Sequence, residues 1–388
     1  LELASFLDPQ KKIIIGESAT RLREGEPLTH PRFAAILTRL RERFPATTLQ
    51  VTTNGSLLAP STVRLLADLK PLELVLSLNS ASEKGRRRLM NDPRPREALH
   101  ALERIAAAGI PLHGSVVPLP HLVGWDDLER TLRRLDSAGA RTIRLLLLGF
   151  TRFSRSGLLP PPGTREECLH LAANLKQELR AALLVEPPPI QNFDPLIEGI
   201  LPGSPAARAG LQAGDRILAI DGQKPLTRVA AFNLAQSRGN PAVVFMRKGV
   251  RRESVLPKRA GEAPGFVVSY DLDPAQLERI RRAMAPRGET LMLTSPAAAP
   301  RWRWARERFG LGNLRLAAVP SLFFGGTITC AGLLTVTDFL PVLKEQMAAA
   351  RPAKTLIPAI AFDRGGLDMR GLHYSLLQES GASVTLID

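Results

Sequence analysis

Short apolar runs alternate with amphipathic stretches over the first half of the chain, and this alternation predicts βα units built on a parallel sheet. The strand-like runs fall at residues 12–15, 49–53, 72–78, 114–118 and 142–148. Apolar residues at helical spacing occupy 31–43, 60–69, 96–108, 125–138 and 164–182. Glu186-Pro187-Pro188-Pro189 has little tendency to helix or strand and reads as a stiff spacer. A second break, Lys258 to Gly265, closes a middle segment. Beyond it strands are expected at 290–293, 314–319, 355–360 and 383–387, with helices between. The expected domains are 1–185, 190–258 and 264–388.

Composition narrows this picture. With 44% hydrophobic and 23% charged residues, the 388-residue chain has the makeup of a globular protein large enough for several cores. The longest apolar stretch, around Ile143 to Phe150, is interrupted by Arg144 and falls far short of the roughly 20 residues a membrane span needs. The start, Leu1-Glu2-Leu3-Ala4, lacks Met and any leader pattern, and reads as an interior piece of a longer chain. The net charge of +15 is diffuse and Arg-rich, which argues against nucleic acid as the main partner. Arg301-Trp302-Arg303-Trp304 fits a helix that buries its tryptophans better than a nucleic-acid site. Two cysteines, Cys168 and Cys330, make neither a disulfide framework nor a metal knuckle, so a reducing cytoplasm is expected. Cys330 lies in an apolar run and is expected to be a buried packing residue. The histidines lack any metal-ligand spacing.

The stretch Ile197-Glu198-Gly199-Ile200-Leu201-Pro202-Gly203-Ser204-Pro205-Ala206-Ala207, followed by Ala213-Gly214-Asp215-Arg216-Ile217-Leu218-Ala219-Ile220-Asp221-Gly222, closely resembles bacterial PDZ domains. Glycines at 210 and 214 allow backbone turns other residues resist, and Asp221-Gly222 reverses the chain into the next strand. The resemblance implies that an extended peptide, usually a protein C-terminus, adds as a strand to an exposed edge. That edge is expected at 196–200, with Leu196, Ile197 and Gly199 facing a helix that carries Phe232. A PDZ fold used only as a spacer is the alternative.

Three further runs come in order: Gly25-Glu26-Pro27-Leu28, then Val51-Thr52-Thr53-Asn54-Gly55, then Leu76-Ser77-Leu78-Asn79-Ser80. They resemble successive strand ends of the radical S-adenosylmethionine (SAM) fold. That resemblance implies a partial (β/α)6 barrel, here lacking its first strand, with its chemistry at the C-terminal strand ends. By position, Gly25, Glu26 and Pro27 would receive the amino group of SAM, and Asn54, Ser77 and Asn79 would lie close by. Gly16-Glu17-Ser18 follows its strand more directly and is an alternative for the first role. The family holds a [4Fe-4S] cluster through a C-x-x-x-C-x-x-C loop after its first strand, and no such segment exists in these residues. Upstream truncation accounts for the missing strand and loop most simply, and loss of the cluster is the rival.

Finally, Phe323-Phe324-Gly325-Gly326-Thr327-Ile328-Thr329-Cys330-Ala331-Gly332 looks like the signature of a bacterial C-terminal α/β domain of unknown function. That domain accompanies PDZ and radical SAM segments in a family of iron–sulfur oxidoreductases. The expected function is a radical SAM oxidoreductase or modifying enzyme with a peptide-binding PDZ module. A cluster-less peptide-binding scaffold is the alternative.

Overall fold

The structure is a computed structural model that describes residues 7–16, 25–154 and 156–387. In the first unit six strands, β1 (Ile13–Ile15), β2 (Leu49–Thr53), β3 (Leu72–Ser77), β4 (Leu112–Val116), β5 (Thr142–Leu146) and β6 (Ala182–Glu186), form one sheet in sequential order. Every neighbouring pair is parallel. Between them run α1 (Phe33–Arg43), α2 (Pro60–Asp68), α3 (Glu83–Met90), α4 (Pro95–Ala107), the single turn α5 (Pro120–Val123), α6 (Trp125–Ser137) and α7 (Thr164–Leu175). This is a partial (β/α) barrel, as the alternating pattern predicts.

The sixth strand corrects the sequence reading. Leu175, Leu179 and Leu183 keep helical spacing, so the helix was expected to run to 182. It stops at Leu175, and Ala182–Glu186 pairs with β5 until the prolines end it.

One face of the sheet packs on helices through Leu49, Val51, Leu74, Leu76 and Ile143, joined by Leu37, Leu66, Leu102 and Leu132. Because side chains alternate along a strand, the other face carries Lys12, Gln50, Glu73, His113 and Arg144. Parallel sheets are usually apolar on both faces; this one has a charged concave side.

The middle unit comprises β7 (Gly199–Ile200), α8 (Pro205–Arg208), β8 (Arg216–Ile220), α9 (Arg228–Ser237), β9 (Ala242–Arg247), β10 (Val250–Val255) and β11 (Phe266–Val267). Strands β8, β9 and β10 form an antiparallel sheet, and β11 pairs with β7. Phe266 is buried in the same core as Ile197, Leu211 and Val243. The unit therefore runs past the break read at 258–265.

The last unit holds α10 (Pro274–Ala283), β12 (Thr290–Thr294), α11 (Ala299–Arg308), β13 (Leu314–Ala318), α12 (Val336–Ala349), β14 (Lys354–Pro358) and β15 (Val384–Ile387). Its four strands are parallel in the order β13-β12-β14-β15. Trp302 is buried, and Trp304 meets Phe193 edge-on at 6.4 Å, so the Trp–Arg segment is a packing helix.

Backbone pairing ties the last unit to the first. Phe150 N–H donates to Thr327 Oγ1 (2.8 Å), Thr327 N–H donates to the Phe150 carbonyl (2.8 Å), and Arg152 N–H donates to the Phe324 carbonyl (2.7 Å). A Cβ on Gly326 would lie 2.1 Å from the Phe150 carbonyl oxygen, so only glycine permits this approach. Gly199 likewise presses on Ala182 of β6, where an added Cβ would meet the Ala182 Cβ at 2.3 Å.

Candidate cofactor face and peptide groove

The strand ends explain how the sequence motifs meet. A Cβ on Gly16 would lie 2.6 Å from the Thr52 carbonyl oxygen and 2.8 Å from Pro27 Cγ. The chain leaves β1 and returns at Gly25-Glu26-Pro27 against the same strand end, so Gly16 and the Gly-Glu-Pro turn share one place. Glu17 lies outside the described residues. The Glu26 carboxylate accepts from Thr53 Oγ1 (2.7 Å), Asn54 N–H (2.7 Å) and Leu28 N–H (3.3 Å), which fixes the turn to the end of β2.

Asn54 and Asn79 close the next two strands. Asn54 Oδ1 accepts from Ser56 N–H at 2.8 Å. Asn79 sits in the left-handed region (φ 56°), and its Oδ1 accepts from Val117 N–H at 2.9 Å, joining the ends of β3 and β4. Ser77 lies in register with Ser115 across β3 and β4. Gly25, Glu26, Pro27, Asn54, Ser77 and Asn79 therefore stand on neighbouring strand ends, with the asparagine side-chain oxygens already engaged.

A residue to which sequence reasoning gave no role of its own organises this end. Arg86, wholly buried on α3, donates from Nη2 to the Asn54 carbonyl (2.6 Å), from Nη1 to the Leu78 carbonyl (2.7 Å) and from Nε to Asp92 (2.7 Å). Burial lowers the Arg86 pKa, and Asp92 partly opposes this. Burial also pushes the Asp92 carboxyl up, but hydrogen bonds from Ser56, the Arg94 amide and Arg86 outweigh it and hold the carboxyl below its ordinary value. The only sequence signal was the run Arg86-Arg87-Arg88 followed by Asp92, in which one arginine of three points inward.

The concave face was likewise unread. Lys12 Nζ contacts both Glu73 and Gln50 Oε1, and His113 Nδ1 lies 2.7 Å from Thr142 Oγ1. His113 Nε2 is 3.9 Å from Glu73. Burial lowers the His113 pKa from 6.5 to about 4, only partly offset by Glu73. The unfolded chain thus binds this proton first as pH falls. The contribution is complete above about pH 6.5 and is lost on acidification towards pH 4, by about 3 kcal/mol at most. His113→Gln is expected to flatten stability against pH in that window relative to wild type, as urea titrations at stepped pH would show.

The cysteines do not fit a three-thiolate cluster. There are two in the sequence, and no group of three metal-ligating side chains occurs among the described residues. Cys168 is buried on α7, where burial pushes its thiol up to about 11. Cys330 is exposed, contrary to the sequence expectation. The loop that carries it is drawn out by its pairing with Phe150 and Arg152, which removes it from the core.

In the PDZ unit the expected peptide edge is occupied on both sides. Ile197 N–H donates to the Asp215 carbonyl and Gly214 N–H to the Ile197 carbonyl, and Leu196 bridges Arg216. On the other side Glu198 and Leu201 donate to the carbonyls of Val267 and Gly265. Leu196, Ile197 and Gly199 thus lie inside the sheet rather than on an open rim. Phe232 does face a strand, but it is β11: its ring meets Phe266 edge-on at 6.0 Å.

Residues 6–135 match the Radical SAM superfamily and residues 196–245 match the PDZ domain. The chain therefore carries a radical SAM domain followed by a PDZ domain. Among curated proteins, the regulator of sigma-E protease RseP of Escherichia coli is 29% identical over 177 residues, 42% of this chain and 38% of that protein. Among solved structures, Streptococcus suis SuiB is 18% identical over 45% of this chain and 38% of its own, with a TM-score of 0.36. A radical SAM methyltransferase from Sphaerobacter thermophilus is 17% identical, covering 45% and 51%, with a TM-score of 0.34. The chain spans about two fifths of the length of RseP and of SuiB. Among the described residues no helix is long and apolar enough to cross a membrane.

Proposed function

We propose that this chain belongs to a radical SAM enzyme, an oxidoreductase or modifying enzyme, that acts in the cytoplasm on a peptide or protein captured by its PDZ unit. The observation that carries this reading is the Glu26 carboxylate locked onto Thr53 and Asn54, beside Ser77 and Asn79 on the following strand end. Backbone carbonyls of the Gly25–Glu26 turn would take the amino group of SAM, and the side-chain NH2 groups of Asn54 and Asn79 with the Ser77 hydroxyl would take its carboxylate and ribose. SAM together with a reduced iron–sulfur cluster would supply one-electron chemistry that side chains lack. The two cysteines of this chain cannot hold the iron–sulfur cluster. Its ligands would come from the rest of the reading frame.

The peptide would lie between β11 and α9, beside Phe232, rather than at 196–200. One solved relative, SuiB, is described as bound to a precursor peptide, SuiA, which agrees with a peptide substrate. The cysteine count favours a second reading, a cluster-less peptide-binding scaffold.

The test is to express the complete reading frame anaerobically and measure iron and sulfide, expected at about four of each per chain. In that holoprotein Glu26→Gln and Asn79→Ala should each weaken SAM binding by about tenfold, the effect of about 1.4 kcal/mol of lost hydrogen bonding. Absence of iron from the complete protein would sink the enzyme reading and leave the scaffold.

A further inference from the structure

Beside the loop that follows β2, at the starts of α2 and α4, the first unit opens a cavity of about 870 Å³. This is within the range of small-molecule sites, roughly 300–1,000 Å³. Four guanidiniums line it, those of Arg87, Arg94, Arg96 and Arg104, and part of its wall is the apolar surface of Leu57 and Pro93.

The positive charge there is only partly matched. Glu83 is shared between Arg87 (3.2 Å) and Arg96 (2.6 Å), and Glu97 holds Arg104 at 2.9 Å. Arg94 has no carboxylate at ion-pair distance among the described residues and is exposed. Four cations thus face two carboxylates at an open recess, where Arg87, Arg94 and Arg96 are exposed to water. The backbone adds to this charge. Both α2 and α4 begin at the cavity with proline at the first turn and no side-chain cap, so their leading amides are left without partners from a capping side chain. Unmatched guanidiniums are the groups best suited to phosphate oxygens, which they grip through paired N–H donors. The apolar wall suits the remainder of a ligand that is not phosphate alone.

We propose that this cavity binds the phosphate groups of a phosphorylated small molecule, such as a nucleotide. The site goes beyond the SAM reading and does not depend on it. It does adjoin that face: Ser56, which lines the cavity, donates to Asp92 at 2.7 Å, and Asp92 holds Arg86, which holds the Asn54 carbonyl. A bound phosphate would therefore lie one hydrogen-bonded chain away from the cofactor strand ends.

The experiment is isothermal titration of the full chain with inorganic pyrophosphate and, separately, with ATP at low ionic strength. Saturable binding is expected for both, weakening as salt is added. Tighter binding of ATP would identify a nucleotide as the source of the phosphate, and equal binding would identify a bare phosphate ligand. Arg94→Ala and Arg94→Gln should each reduce affinity about tenfold, as loss of one charge-assisted contact predicts. Arg251→Ala, which removes an exposed arginine of β10 in the PDZ unit, should leave binding unchanged. The proposal is overturned if neither ligand saturates, if the Arg94 variants bind like wild type, or if Arg251→Ala loses as much, since binding would then be diffuse attraction to a basic protein.

Discussion

Arg86→Ala is expected to destabilise the first unit by about 3–5 kcal/mol, because removing one partner of a buried ion pair strands the other. Asp92 is buried and would be left with Ser56 Oγ and the Arg94 amide but without its counter-ion. The carbonyls of Asn54 and Leu78 would also lose their donor. Urea unfolding followed by circular dichroism measures the loss. The double variant Arg86→Met/Asp92→Leu should recover part of it, since an apolar pair of similar volume removes the stranded charge. If Arg86→Ala unfolds at the wild-type denaturant concentration, the ion pair does not organise the strand ends. Asn54 is held from both sides, by Glu26 on its amide and by Arg86 on its carbonyl, so a milder variant such as Arg86→Lys should disturb SAM binding before it unfolds the barrel.

The second large effect is expected at Asp338, wholly buried at the start of α12. Its carboxylate accepts from the amides of Leu322 (2.8 Å), Phe323 (2.9 Å) and Thr335 (2.8 Å) and from the Thr335 hydroxyl (2.9 Å). One side chain thus caps a helix and gathers both ends of the loop that reaches the barrel. Asp338→Ala leaves these buried donors without an acceptor, at about 1–3 kcal/mol for each one that water does not reach, so a total loss of about 4 kcal/mol is expected. Limited proteolysis should then cut between Leu322 and Leu334 well before the rest of the chain. Wild-type resistance there would show that the loop is held by its contacts with Phe150 and Arg152 instead.

The sequence carried most where a single strand or turn defined its own environment. β2, β3 and β5 lie where apolar runs placed them, and the motif residues from Gly25 to Asn79 do meet at one end of the sheet. What escaped notice depends on distant partners. Lys12 meets residues 38 and 61 positions away, and His113 meets Thr142 across 29; each alone looks like a surface polar residue. The peptide edge at Leu196, Ile197 and Gly199 was misplaced because β11, which covers it, follows a stretch of Gly, Pro and charge that looks like a linker. β6 was missed because its leucines continue a helical spacing, and only pairing with β5 decides the matter. Cys330 was expected in a core because its neighbours are apolar, but Ile328 reaches Gly149 of the first unit and Leu334 the core of its own, leaving Cys330 exposed between them.

The contact between Phe150 and Thr327 bears on how this polypeptide can be divided. A fragment ending at Glu186 would expose amide and carbonyl groups at Phe150 and Arg152 that the intact chain pairs, together with the surface of Ala182 that Gly199 covers. Unpaired backbone and bare apolar surface invite association with other copies. Removing both later units should therefore give a barrel that self-associates, as sedimentation velocity would show, rather than a well-behaved monomer. The three segments share their seams, and severing any of them wounds both sides.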